Sequence, residues 1–138
     1  MRTFYQNIDG YWRDINKSGL PAHSGIYFVY RCTYNPLEKT VSLHQLIYIG
    51  EAENVNSRIS CHERYDDWIK QLKFGETLCF STTMVPSPDR CRVEAAYIFK
   101  HKPPLNTSCI YSFNYDTTRI ISSGATWGLY PDFTVYRT

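Results

Sequence analysis

The fold of this chain is decided by residues 24–50, which read SGIYFVYRCTYNPLEKTVSLHQLIYIG. β-Branched and aromatic residues dominate both halves of this stretch, which favours two strands. A proline after Asn35 and a charged loop before Thr40 separate the halves, so we predict an antiparallel hairpin. Pairing Tyr27 with Tyr48 places Asn35 opposite Thr40. Because directly opposed residues share a face of a sheet, this register puts both tyrosine side chains on one side.

Two helical regions and a third strand are predicted after the hairpin. Asn54 is a good N-cap, and the apolar residues that follow it predict one or two helices between 54 and 73. Alternation with β-branched residues predicts a strand over 77–85. A Ser-Pro-Asp start and a Pro-Pro stop predict a further helix over about 88–100.

Length and composition indicate one globular domain. The chain has 138 residues, of which 43% are apolar and 20% charged, and this is ordinary globular composition. We divide it into a core over 24–106, a lead-in segment over 1–23 and a C-terminal extension over 107–138 with an added strand or hairpin. No apolar run approaches the ~18 residues that cross a bilayer, and the start lacks a signal-peptide pattern, so no membrane contact is expected.

The cysteines and the net charge bear on the compartment and the partner. The five cysteines are scattered and form no CxxC pair, which argues against a zinc cluster or a disulfide scaffold. Free thiols suit a reducing compartment, so we expect a cytoplasmic protein. The net charge of +2 is too small to indicate nucleic-acid binding by itself, although a local basic patch could still bind it.

Glu94 is the best candidate for a metal ligand. It lies in a mostly apolar helical stretch, where an unpaired carboxylate is costly to bury. A single carboxylate completed by water and phosphate oxygens suits Mg²⁺, which keeps much of its hydration shell. The alternative is a solvated glutamate, or an ion pair with Arg90 or Arg92.

Arg58 and His62 are four residues apart, so on a helix they would share one face. The guanidinium fork of Arg58 matches phosphate oxygens. His62 could accept or relay a proton, because the pKa of a histidine lies near neutrality. Both residues could instead be ordinary surface residues of a helix.

Tyr27, Tyr48 and Asn106 complete the set of candidates. A free phenol has a pKa near ~10 and is a poor base at neutral pH. A metal-bound water, Arg58 or His62 could lower that pKa. Alternatively, the phenol could simply orient a water molecule that attacks a phosphodiester. The general base therefore stays open between the two tyrosines and His62, and both tyrosines could also be ordinary sheet residues. Asn106 is neutral, and we assign it hydrogen bonding that holds the Glu94 helix against the hairpin.

The motifs Gly25-Ile26-Tyr27 and Tyr48-Ile49-Gly50, followed by Arg58, His62, Glu94 and Pro103-Pro104-Leu105-Asn106, resemble the GIY-YIG nuclease family over residues 24–106. The resemblance implies an α+β fold with a three-stranded antiparallel sheet flanked by helices. It also implies one divalent metal, Mg²⁺ or Mn²⁺, held by Glu94, and in-line attack by water. Tyr27 would be the candidate general base, and Arg58 would stabilise the phosphate. The long interval between the tripeptides and the acidic Glu51 after the second one depart from the family pattern.

We therefore expect a metal-dependent endonuclease, with DNA the preferred nucleic acid and a restriction-like, stand-alone setting. Double-strand cleavage by one site would require a homodimer or two encounters. One alternative is a nucleic-acid-binding module that does not cut, supported by the basic residues Arg58, Arg64, Lys70 and Lys73. A further alternative is an interaction domain that uses exposed tyrosines. The sequence leaves DNA versus RNA and the recognition site undetermined.

Overall fold

A computed structural model describes residues 1–138 and shows one six-stranded sheet with helices packed on both faces. The strands are β1 (Arg2–Arg13), β2 (Gly25–Asn35), β3 (Thr40–Ala52), β4 (Thr77–Met84), β5 (Thr118–Gly124) and β6 (Asp132–Val135). The helices are α1 (Val55–Ser60), α2 (Tyr65–Lys70) and α3 (Ser87–His101), with a 3₁₀ helix at Asp14–Gly19. The strand order is β3-β2-β4-β1-β5-β6, and every neighbouring pair is antiparallel except β1 and β5, which are parallel.

The predicted three-stranded antiparallel sheet is wrong, although the chain is α+β overall. The segment over 1–13 is a strand in the middle of a mixed sheet, between β4 and β5, rather than an added lead-in. Its inward positions are Phe4, Gln6 and Ile8, which are buried between exposed neighbours. Gln6 conceals the apolar alternation, and it is tolerated inside because its Oε1 accepts a hydrogen bond from the Thr83 hydroxyl at 2.8 Å.

The hairpin forms, but its predicted register is wrong at the open end. Asn35 pairs with Thr40 as expected, whereas Tyr27 pairs with Gly50, and Tyr48 lies opposite Val29. Two irregularities in the pairing place two additional residues in β3 and shift the register by that amount. Since Tyr27 and Val29 lie on one face of β2, the side chains of both tyrosines still share a side of the sheet.

Two apolar cores lie on opposite faces of the sheet. One contains Phe28 and packs against α3, and the other contains Tyr27 and packs against the region of α1 and α2. Trp68 of α2 is fully buried in the second core. Several residues of the second core, and residues close to it, form the candidate site described below. None of the helices has both the length and the apolar surface required to span a bilayer.

The helix signals are largely correct. The Asn54 side chain accepts a hydrogen bond from the Ser57 N–H at 3.1 Å and begins α1. The helix α3 has its proline and aspartate in the first turn and ends before Lys102, which has a left-handed φ of 47°. The segment 54–73 contains two short helices, and because α1 ends at Ser60, His62 lies in the turn between them. The expectation that Arg58 and His62 share a helix face is therefore wrong.

Candidate active site

The two glycine-containing tripeptides meet where β2 and β3 pair. Tyr27 is only 1% exposed, and its ring lies directly over the backbone of Gly50. A Cβ atom at Gly50 would lie 2.3 Å from the Tyr27 hydroxyl oxygen, so only glycine leaves room for this ring. Gly25 has a different role, because a Cβ atom there would lie 2.1 Å from the backbone oxygen of Thr83. The first glycine lets β2 and β4 approach, and the second positions the first tyrosine.

His62 holds the hydroxyl group of Tyr27. Its Nε2 atom lies 2.8 Å from the Tyr27 Oη, and its Nδ1 atom accepts a hydrogen bond from the Arg64 backbone N–H at 2.9 Å. An Nδ1 that accepts leaves the proton of the neutral ring on Nε2, so Nε2–H donates to Tyr27. Burial, assisted by the charge of Arg58, lowers the pKa of His62 to about 4, and the neutral ring is the form present near pH 7.

The phenol of Tyr27 consequently keeps its own proton. Burial raises the pKa of Tyr27 above its usual value, and the neighbouring Tyr48 raises it further, while the charge of Arg58 opposes the change. Because His62 supplies a donor to the phenolic oxygen, the hydroxyl proton can point towards a water or a phosphate oxygen. This geometry suits a neutral phenol that orients a nucleophile by hydrogen bonding.

An aromatic wall supports these two residues. The His62 ring packs against Trp68 with ring centroids 4.3 Å apart, and Tyr48 packs against the same indole at 5.5 Å. Tyr48 is more exposed than Tyr27, and burial raises its pKa while the charge of Arg64 lowers it. The sequence placed Trp68 among the apolar helix positions, but its contact with His62 depends on the turn between α1 and α2 and was not predictable from spacing.

Arg58 extends from α1 and is already paired. Its guanidinium donates two hydrogen bonds to the carboxylate of Glu63, at 2.5 and 2.7 Å. Glu63 is largely exposed, and its bond to Arg58 lowers the pKa of its carboxyl group to about 2. A fork that binds a carboxylate in this manner can bind a phosphate in the same manner. Glu63 was missed by sequence reasoning because its contact requires the chain reversal after α1.

Glu94 projects from α3 beside a second carboxylate. Burial raises the pKa of Glu94 to about 7, and the charge of Glu51 contributes, while the Glu51 backbone N–H and the charge of Arg90 lower it. Neither suggested ion-pair partner binds it: Arg90 donates to Glu51, and Arg92 donates to the Thr118 hydroxyl at 2.9 Å. The alternative in which Glu94 is neutralised by a neighbouring arginine is therefore wrong.

The residues at Glu94 fit a hydrated divalent cation. No group of three or more His, Cys, Asp or Glu side chains converges in the chain, so a cation would have Glu94 as its main protein ligand. A half-buried carboxylate without an ion pair, close to the carboxylate of Glu51, gains from a cation that offsets their repulsion. Mg²⁺ accepts such a site because it keeps several of its waters. The Glu94 charge also raises the pKa of Tyr27 and Tyr48, which places it within electrostatic reach of both phenols.

Asn106 lies behind the site rather than in it. Its side-chain amide accepts a hydrogen bond from the Ile49 N–H at 2.9 Å and donates to the Ile49 carbonyl oxygen at 2.8 Å. These bonds, with one from the Leu105 N–H to the Ile47 oxygen at 3.1 Å, satisfy the free edge of β3. Asn106 thus ties the chain that follows α3 to the strand that carries Tyr48.

The structure brings the rings of Tyr27, Tyr48 and His62 together on one side of β2 and β3, and the charges of Arg58 and Glu94 act on both tyrosines. The Asn106 amide supports β3 from its free edge. A hollow of about 480 Å³ is lined by Arg58 and by Glu51. No family model matches this chain, and no curated protein and no solved structure matches it.

Proposed function

We propose that the protein is a metal-dependent endonuclease that hydrolyses phosphodiester bonds of nucleic acid, with DNA as the expected substrate. The observation that carries this proposal is the half-buried Glu94 carboxylate, which has no ion-pair partner and whose charge acts on Tyr27 and Tyr48. A structural glutamate would gain by pairing with the adjacent Arg90, which binds Glu51 instead.

Tyr27 positions the attacking water in this proposal. His62 offers no free lone pair, because Nε2 carries the proton and Nδ1 accepts from Arg64. His62 therefore acts as a positioning residue: its N–H holds the phenolic oxygen in place, so that the Tyr27 hydroxyl can orient the attacking water. The raised pKa of Tyr27 favours the neutral phenol before the reaction. This geometry supports orientation of the water by Tyr27 rather than removal of its proton by Tyr27 or His62.

Arg58 would bind the scissile phosphate by exchanging the Glu63 carboxylate for two phosphate oxygens. This exchange keeps the guanidinium fully hydrogen-bonded throughout, and the fork then stabilises the added charge of the transition state. A divalent cation at Glu94, Mg²⁺ or Mn²⁺, would neutralise charge on the phosphate and on the leaving alkoxide.

The free cysteines and the single site bear on the cellular location and on the number of copies that act together. Five free cysteines suit the reducing cytoplasm, which we propose as the location. One active site cuts one strand, so double-strand cleavage would require a second copy or a second encounter.

Incubation with supercoiled plasmid, and in parallel with a structured RNA, tests the proposal. Nicking that requires Mg²⁺ or Mn²⁺, stops with chelator and is lost in Arg58→Ala is the expected result. Intact plasmid and intact RNA under every metal condition would contradict it. Salt-dependent binding without cleavage would instead support the binding module, because phosphate contacts weaken as salt rises.

A further inference from the structure

A second hollow, of about 430 Å³, lies where β1 pairs with β4. Its lining consists of Tyr5, Gln6, Asn7, Asp9, His23, Thr83 and Met84. None of these residues belongs to the candidate active site. We refer to this hollow as the base pocket.

Strand register connects the base pocket to the active site. Thr82 of β4 pairs with Tyr27 on one side and with Asp9 on the other. Opposed residues share a face, so the Asp9 and Tyr27 side chains leave the sheet on the same side. Strands are ~4.8 Å apart, which puts the two backbones ~10 Å from each other. Adjacent nucleotides of an extended strand span such a distance.

Two apolar side chains of the base pocket are largely uncovered by the rest of the chain. Tyr5 is 76% exposed and Met84 is 64% exposed. A tyrosine ring and a thioether both pack well on the face of a base, and stacking on such side chains is the common way of binding unpaired nucleotides. A base still in a duplex presents no free face, so the base bound here must be unpaired or extruded.

The charge of Asp9 indicates which part of a nucleotide would enter the base pocket. The Asp9 carboxylate is exposed, takes no part in any ion pair of the chain, and can only accept hydrogen bonds when ionised. A carboxylate repels a phosphate and attracts an amino group. Cytosine, adenine and guanine carry exocyclic amino groups, whereas thymine and uracil present carbonyl oxygens at the equivalent positions.

We propose that the base pocket binds one unpaired base next to the cleavage site and prefers a base with an exocyclic amino group. This inference rests on the proposed function, since it places the base beside the phosphate held by Arg58. Tyr5 and Met84 supply the stacking surface, and Asp9 supplies the selectivity.

Fluorescence anisotropy with dT oligonucleotides that carry one central dC, dA or dG tests this inference. Chelator is present throughout, so that no strand is cut. The wild type should bind each substituted oligonucleotide more tightly than all-dT. Tyr5→Ala should weaken the binding about tenfold, because it removes the ring on which the base stacks. Asp9→Asn should retain binding but lose the discrimination against dT.

Matched controls lie outside the pocket. Tyr111→Ala removes a ring that is 93% exposed, and Asp116→Asn removes a surface charge, and neither should change the preference. Equal affinity for all four oligonucleotides, absence of binding, or an unchanged preference in Asp9→Asn would overturn the inference. Metal-dependent plasmid cleavage without a base preference would remove the base pocket and leave the nuclease. A base preference without any cleavage would remove the nuclease and leave the pocket.

Discussion

The carboxyl group of Glu94 is held in its position at a cost to the fold. Its pKa of about 7 in the folded chain lies above the usual ~4.5, so folding favours the protonated form. The associated stability is fully present below about pH 4.5 and is lost as the pH rises through about 7. A half-buried carboxylate that destabilises the protein at physiological pH is typical of a functional group.

Glu94→Gln should therefore be more stable than the wild type at pH 8. The amide keeps the shape and removes the charge, and a shift of this size corresponds to a gain of up to about 3 kcal/mol. Urea unfolding at pH 4 and pH 8 measures the difference, which should be present at pH 8 and nearly vanish at pH 4. Glu38→Gln, in the exposed loop between β2 and β3, provides the control. Equal stability of variant and wild type at pH 8 would contradict the raised pKa.

In the proposed mechanism Glu63 competes with the substrate phosphate for Arg58. Glu63→Gln should raise the affinity for an oligonucleotide about two- to fivefold, because an exposed ion pair holds Arg58 only weakly. Binding in chelator measures the effect. Asp66→Asn removes a neighbouring charge that is not bound to Arg58, and it should have a smaller effect. If Glu63→Gln has the same effect in an Arg58→Ala background, the competition does not exist.

The two glycine-containing tripeptides and the resemblance they carry nominated the six candidate side chains, since each residue type alone also fits an ordinary structural role. The hydrogen-bond partners of those side chains could not be predicted from the sequence. The bond between Arg58 and Glu63, and the bond between His62 and the Arg64 backbone, both depend on where α1 ends. A helix end that differs by a few residues redirects every side chain in the following turn.

At the scale of elements, the pairing of β2 and β3 controls the position of Tyr27. Gly50→Ala should push the Tyr27 ring away, since the added Cβ atom would lie 2.3 Å from its hydroxyl oxygen. We expect a loss of stability of about 1–3 kcal/mol and a decrease in cleavage rate of about 100-fold, because a displacement near 1 Å is sufficient for such a loss.

Gly19→Ala is the matched control for this substitution. Its Cβ atom would meet Trp12 at 3.5 Å, which is an ordinary contact, and cleavage should be unchanged. Kinetics and thermal unfolding of the two variants separate the effects. Cleavage by Gly50→Ala at the wild-type rate would show that the position of Tyr27 is unimportant.

Alternation and turn residues predicted the β2–β3 hairpin, but not its register. The turn at Asn35 and Thr40 fixes one end, and a regular hairpin would then pair Tyr27 with Tyr48. The two irregularities that bring Gly50 under the Tyr27 ring leave no mark in composition. They follow from side-chain packing across the sheet, which depends on residues distant in the chain.

On the scale of the whole molecule, the sheet joins both termini to the candidate site. The strand β1 lies between β4 and β5, and its partner β5 comes from the C-terminal part of the chain. One face of the sheet packs against α3, whereas α1 and α2 cover only part of the other. The hollow lined by Tyr5, Asp9 and Met84 opens at β1 and β4, and Asp9 shares its face of the sheet with Tyr27.

Removal of residues 1–23 should therefore unfold the protein. The truncation deletes a central strand together with the buried Phe4 and Ile8, each worth ~2–5 kcal/mol, in a domain whose total stability is on the order of 5–15 kcal/mol. Circular dichroism and thermal melting of residues 24–138 measure the outcome. A cooperative melt close to that of the full chain would contradict the central role of β1.

This central strand was the largest feature that the sequence did not predict. The lead-in interpretation followed from the lack of a sustained period over residues 1–23. Gln6 interrupts the apolar alternation there, and its buried position is satisfied by its bond to Thr83. Parallel pairing of β1 with β5 joins residues more than a hundred positions apart, and local patterns contain no information about such contacts.

Cleavage of supercoiled plasmid by Glu94→Gln, beside the wild type at pH 8 with Mg²⁺, is the most direct test of the proposed nuclease. The wild type should convert the plasmid to nicked circles, and the variant should leave it intact although it is the more stable protein. Cleavage by Glu94→Gln at the wild-type rate would contradict the assignment of Glu94 and the nuclease built on it.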